Sequence, residues 1–229
     1  MGRHTLAGNP PIDVVLRRSA RARRLSLRVS RLDGRVSLTL PHRVPEAEGI
    51  AFLKTKEHWL RNQLGAISEP VNVQVGGTLL FQGENLLIRP NQKRGVWCAE
   101  GAVHVNDKRP AGPQLRAFLR HEARVALAAA SDRYAAQLGR PYTRITLRDT
   151  RSRWGSCTAG GGLMYSWRLI MAPPKVLDYV AAHEVAHLQE MNHSQAFWDV
   201  VARLCPDYDQ YRKWLRQHGD QLHRYRFDD

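Results

Sequence analysis

Two histidines four residues apart, His183 and His187, enclose the segment Glu184-Val185-Ala186. This spacing constrains the chain more than any other feature it has. On an α-helix, residues four apart project from one face, about 6 Å apart at their Cβ atoms, so both imidazoles can reach one metal ion. Glu184 sits beside the first histidine, close enough to touch a water next to the ion without being a ligand. Pro173-Pro174 and the apolar residues Val176, Leu177 and Val180 independently predict that the segment is helical. With 10 His in 229 residues, chance gives a His-Glu-x-x-His pattern about 0.02 times per chain. An internal control is His121-Glu122-Ala123-Arg124-Val125, where Val125 replaces the second histidine, which reads as a surface pair.

Zinc bound by two histidines takes a third protein ligand, and His193, six residues after His187, is the candidate. On a continuing helix it would be rotated by about 240° from His187, off the metal face. The helix therefore has to end between them. Met191-Asn192 supplies a stop, because Asn tolerates the left-handed conformation of a helix terminus, and Ser194 can cap the next helix. Three histidines leave an open coordination position, which suits a catalytic site better than a structural one.

The rest of the chain reads as an α+β protein. Arg17–Arg35 is Arg-rich, with eight Arg against one Asp. Within it Leu25, Leu27 and Val29 alternate with polar residues, Asp33-Gly34 signals a turn, and Val36, Leu38 and Leu40 alternate again, predicting a β-hairpin with an Arg-bearing face. A helix follows from Pro45-Glu46 to about Leu64, with Ile50, Leu53, Trp59, Leu60 and Leu64 as its apolar positions and Gly65 as its stop. Five short strand-like segments occupy 71–75, 78–82, 85–89, 95–99 and 102–106. The run Lys108-Arg109-Pro110-Ala111-Gly112-Pro113 reads as the domain boundary. This divides the chain into a mostly-β, basic N-terminal domain with one helix, 1–110, and a second domain, 111–229, that carries the active-site helix. The second half then predicts a long helix from Pro113 to Leu138 capped by Gly139, strand-like runs at Arg144–Arg148 and Leu163–Met171, and helices around Gln195–Leu204 and Tyr208–Gln217. Asp207 with Gln210 resembles a capping box.

Composition narrows the function classes. Hydrophobic residues make up 43% and charged residues 24%, which excludes a disordered or collagen-like chain. No apolar run is long enough for a transmembrane helix, and Met1–Leu6 offers no apolar stretch for a secretory signal. Cys98, Cys157 and Cys205 are far apart and odd in number, so no disulfide framework is expected and a reducing cytoplasm is the simplest compartment. The net charge of +14 permits attraction to nucleic acid or another polyanion, with Arg17–Arg35 as the expected surface. The alternative is a solvated sheet face.

Four segments together are more specific than the histidine spacing: Arg151-Ser152-Arg153-Trp154-Gly155-Ser156-Cys157, Ser166–Pro173, Asp178–Leu188 and Asn192–Trp198. The series resembles the YgjP-like metallopeptidase family, related to SprT-like and SPRTN-type proteases. Ser166 departs from the pattern, where many relatives carry Asn. The resemblance implies a zincin-like fold and a zinc-dependent peptidase, with relatives that act on DNA-crosslinked protein only by analogy. On this reading His183, His187 and His193 hold Zn2+ and Glu184 is the general base. A protein or peptide substrate is expected to lie extended against an edge strand near Leu163–Leu169. Rival readings are a nucleic-acid-binding module with a vestigial metal site, a peptidase recruited to nucleic acid, and hydrolysis of a non-peptide bond. Trp154, Trp167, Phe197 and Trp198 read as core. Cys157 reads as a small buried residue, with a thiolate ligand as its alternative. Arg153, Tyr165, Ser166 and Arg168 are unranked candidates for stabilising a developing oxyanion.

Overall fold

The computed structural model describes residues 2–30, 33–67 and 69–227. Arg31, in the Arg-rich run, lies outside the described residues. The chain divides into two compact units, Met1–Glu69 and Pro70–Asp229.

In the first unit, β1 (Gly2–Leu6), β2 (Ile12–Ser19), β3 (Ser26–Val29) and β4 (Val36–Pro41) form a sheet in the order β1-β2-β4-β3. The expected hairpin is present, with Leu27 opposite Leu38 and Val29 opposite Val36. The other neighbour of β4 is β2, paired in parallel, with Leu16 opposite Leu38. Alternation puts Ile12, Val14 and Leu16 on the same buried face as Val36, Leu38 and Leu40. The arginines of β2 and β3 therefore stay in solvent. The single helix expected over 45–64 is two, α1 (Glu46–Thr55) and α2 (Glu57–Gly65). They break at Lys56, whose N–H bonds the carbonyl of Leu53, three residues back. Leu53 and Leu60 fill the core, whereas Trp59 is 43% exposed. Gly49 matters here, because a Cβ on it would meet Leu40 Cδ2 at 2.5 Å.

The second unit begins with β5 (Val71–Asn72). A four-stranded sheet follows, built from β6 (Thr78–Phe81), β7 (Glu84–Asn91), β8 (Trp97–Ala99) and β9 (Ala102–Asn106) in the order β6-β7-β9-β8. Next comes α3 (Ala111–Leu138), closed by Gly139 in the left-handed conformation, φ 67°. Then β10 (Arg144–Arg148), β11 (Gly155–Cys157) and β12 (Gly162–Ser166) form a second sheet. The last elements are α4 (Pro174–Ala186), α5 (Gln195–Leu204), α6 (Tyr208–His218) and β13 (Tyr225–Arg226), which pairs in parallel with β5.

The boundary expected at 110/111 is therefore corrected to 69/70. Leu79, Ile88, Val103 and Val105 of the first sheet share one core with Leu115 and Leu119 of α3 and with Val176 and Val180 of α4. The Pro-Gly run at 110–113 starts a helix and separates nothing, since Pro110 occupies the N-cap of α3. Leu163–Met171 also departs from expectation. The strand ends at Ser166, and Trp167–Met171 forms a fully buried 3-10 helix. A continuous apolar run carries no period that separates these two states. Among the described residues, no helix is long and apolar enough to cross a membrane.

Candidate metal centre

Helix α4 starts on Pro174, whose missing N–H costs nothing in a first turn, and buries Val176, Leu177, Val180 and Ala181. That register turns His183, Glu184 and His187 toward a cavity of about 450 Å³. The helix ends at Ala186, with His187 as its C-cap. Leu188 N–H then bonds the carbonyl of Val185 at 2.9 Å, tightening the last turn. The reversal expected before His193 is present, by a different device. Asn192 is not left-handed. Its Oδ1 accepts the N–H of Ser194 at 3.2 Å, closing the turn from the side chain. Neither Ser194 nor Asp207 makes a side-chain cap.

The chain so turned brings His193 to the other two histidines. His193 Nε2 lies 3.1 Å from His183 Nε2, and one nitrogen from each of the three rings lies within 4.8 Å of the others. Two nitrogens about 2.05 Å from a tetrahedral zinc are themselves about 3.3 Å apart, so the donor set fits that ion. His187 Nδ1 donates to the carbonyl of Glu190 at 2.9 Å, which leaves Nε2 as the lone-pair nitrogen. Burial, and then the neighbouring histidines, push His183 down to about 3. Burial also lowers His187. Neutral imidazoles are the form that coordinates metal.

Phe197 of α5 holds the trio together. It is fully buried, with ring centroids 4.9, 4.4 and 4.7 Å from those of His183, His187 and His193. Sequence reading assigned it to the core, which is correct, but the core residue it contacts is the site itself.

Glu184 is 5% exposed. Burial pushes its carboxyl up to about 8, against an opposing pull from the Arg153 guanidinium. It lies against β11 where that strand has no side chain. A Cβ on Gly155 would stand 2.5 Å from Glu184 Oε1 and 2.6 Å from its Cγ. Sequence reasoning missed Gly155. A glycine inside a strand marks a close approach, but the strand that carries Gly155 shows only in the structure.

Of the four oxyanion candidates, Arg153 lines the cavity. Tyr165 is buried against Ser131, with the hydroxyls 3.0 Å apart. Ser166 is fully buried, and its Oγ has no partner. Arg168 is a structural hub. It grips Asp149 at 2.6 and 3.1 Å and donates to the carbonyls of Leu222 and Tyr225. Cys157 lines the cavity but stays a thiol, pushed up to about 11 by burial and then by Glu184. His121 is exposed on α3 and outside the cluster.

The edge strand is also corrected. β12 lies between β10 and β11, so Leu163–Ser166 is the centre of its sheet, and the edges are β10 and, against Glu184, β11.

The YgjP-like metallopeptidase domain matches residues 23–218. A search of curated proteins returns no match. Among solved structures, the crystal structure of the metallopeptidase zymogen of Pyrococcus abyssi abylysin is similar at 16% identity and a TM-score of 0.36. That likeness covers 40% of this chain and 93% of abylysin. With 23–218 of 229 residues matched, the three histidines and Glu184 among them, the chain belongs to the YgjP-like metallopeptidase family.

Proposed function

We propose that this metallopeptidase is zinc-dependent, with His183, His187 and His193 as the metal ligands and Glu184 as the general base. The observation that carries the reading is the convergence of three imidazoles beside a buried carboxyl that lines the same cavity. A bound zinc ion supplies Lewis acidity and lowers the pKa of its water toward about 7. Glu184 takes the proton from the attacking water and passes it to the leaving amine. Arg153, the non-ligand cation lining the cavity, is placed to offset negative charge that develops on the scissile carbonyl oxygen.

The substrate lies along β11. Ser166 N–H bonds the carbonyl of Trp154 at 2.8 Å, and Thr158 N–H bonds that of Gly162 at 3.0 Å. Residues 154, 156 and 158 thus aim their backbone groups at β12. Alternation sends those of Gly155 and Cys157 outward, where an extended peptide can pair with them. Glu184→Gln tests the reading. It is nearly isosteric, so zinc content measured by mass spectrometry stays at wild type, while hydrolysis of a peptide library falls roughly 10²-fold or more. His187→Ala instead loses the metal. Wild-type turnover in Glu184→Gln would remove the base assignment.

A second reading concerns the first unit. Arg17, Arg21, Arg23, Arg24 and Arg28 are exposed, and among the described residues no carboxylate pairs with them. This supports a nucleic-acid-binding role for Arg17–Arg35, alongside peptidase chemistry in the second unit. Arg35 is already engaged with Asp33 at 2.9 Å, and Arg18 donates to the carbonyls of His42 and Val44.

A further inference from the structure

The sheet β6-β7-β9-β8 packs Leu79, Ile88, Val103 and Val105 into the core, while Arg89 on its other face is exposed and Trp97 and His104 are half-buried. Val103 and Val105 are fully buried, so His104 between them points the opposite way. Val96 packs on the core, and Trp97, the next residue, does not. Trp97 stands opposite His104 across β8 and β9. The two rings are stacked, with centroids 5.4 Å apart and planes 9° from parallel. Arg89, exposed on β7, is the partner of His104 on its other side. A planar ring pair and a cation therefore form a row across three strands.

Two residues along β9 from His104, on the same face, Asn106 lines a cavity of about 560 Å³. Arg94, Lys108 and Arg109 line it too, and among the described residues no carboxylate does. Among the described residues none of these three cations is ion-paired. The loop that carries two of them is held in shape. Gln114 Nε2 donates to the carbonyls of Asn106, Arg109 and Pro110 at 2.9–3.1 Å. Asn106 Oδ1 accepts the N–H of Lys108 at 3.1 Å, and Asn106 Nδ2 donates to Lys93 O at 3.1 Å.

We infer that this face binds single-stranded nucleic acid, with a backbone phosphate in the Arg94–Lys108–Arg109 cavity and an adjacent base stacked on the Trp97–His104 pair. Three unpaired cations in one cavity call for an anion, and phosphate is the anion whose chain also carries flat rings. An acidic peptide would use the cations and leave the ring pair idle. A duplex keeps its bases stacked inside and offers the rings nothing. This surface is distinct from Arg17–Arg35 and independent of the peptidase reading.

The test is fluorescence anisotropy of the full chain with a short labelled oligothymidylate, a duplex of equal length, and heparin. Trp97→Ala is expected to weaken oligothymidylate roughly tenfold, and Trp97→Phe to keep most of the affinity. Arg94, Lys108 and Arg109 changed together to Ser should lower the log–log salt slope by about 2, at about 0.7 per lost contact with a single strand. These three are surface side chains, so this variant folds even if Trp97→Ala does not. Photocrosslinking of an iodouridine oligonucleotide to the unaltered protein should map to Trp97 or His104. Crosslinks confined to residues 17–35, unchanged binding in the triple variant, or a loss in Trp97→Ala as large for duplex and heparin as for oligothymidylate would each overturn the proposal.

Discussion

Glu184 and Gly155 define each other. The carboxyl occupies the volume a side chain at 155 would fill, with Oε1 only 2.5 Å from where a Cβ would stand. Gly155→Ala has to displace either the strand or the carboxylate, and the strand is pinned to β12 by its ladder. The expected result is a fall in kcat of tenfold or more with zinc content unchanged. Glu184→Asp, shorter by one methylene, should recover part of the loss in the Gly155→Ala background, measured by turnover on one peptide substrate. His223 makes a second prediction at this scale. It is buried beneath Trp154, with ring centroids 5.1 Å apart. Burial, and next the Arg168 charge, hold it down to about 4 from 6.5. A folded state that refuses a proton the unfolded chain accepts has full stability above pH 6.5 and loses it as pH falls toward 4. The loss for this one group is on the order of 3 kcal/mol. Urea midpoints of His223→Gln should therefore depend less on pH across that window than those of the wild type. Equal slopes would remove His223 from the acid response.

At the scale of elements, α4 was fully legible, because a proline start, an apolar stripe and two histidines at helical spacing all agree. The turn that delivers His193 was legible as a necessity and wrong in its chemistry. Geometry demands that the helix end after His187, but whether Asn192 uses its backbone or its side chain depends on hydrogen bonds that only the folded turn displays. β11 was illegible. Its three residues, Gly155-Ser156-Cys157, have no apolar period, and they form a strand because β12 offers a ladder. Missing it made β12 look like an edge. The same limit hid the partnership of β4 with β2, since a hairpin pattern reports its own turn and nothing about a parallel neighbour. The hairpin supplies the prediction for this scale. Arg21, Arg23 and Arg24 changed together to Ser should weaken binding to duplex DNA and lower its log–log salt slope by up to about 2.7, at about 0.9 per contact. Zinc content and cleavage of an unstructured peptide should be unchanged. An unaltered salt slope would return this face to plain solvation.

For the molecule as a whole, the kinds of element were legible in the sequence, whereas the domain boundary was not. A Pro-Gly run announces that the chain changes direction. It does not say whether the elements on either side share a core, and Leu79, Val103 and Leu115 do. Fold class survived this error because it depends on the kinds of element present, and the convergence of the three histidines was untouched by it because they lie within eleven consecutive residues.

The pairing of β5 with β13 has a consequence for how this protein is made. Val71 N–H bonds the carbonyl of Arg224 at 3.0 Å, and Val73 N–H bonds that of Arg226 at 3.0 Å. Gly219 presses on the Trp154 ring at the start of β11, and Arg168 holds the carbonyls of Leu222 and Tyr225. During synthesis, residues 183–193 therefore leave the ribosome well before the segment that braces the strand beside them. A nascent chain has its histidines early and the brace of its cleft late, and the expectation is that hydrolysis requires residues 219–227. Chains ending at Gln217 should accordingly be inactive and poorly protected against added trypsin. Full turnover in such a chain would show that the cleft forms without its brace.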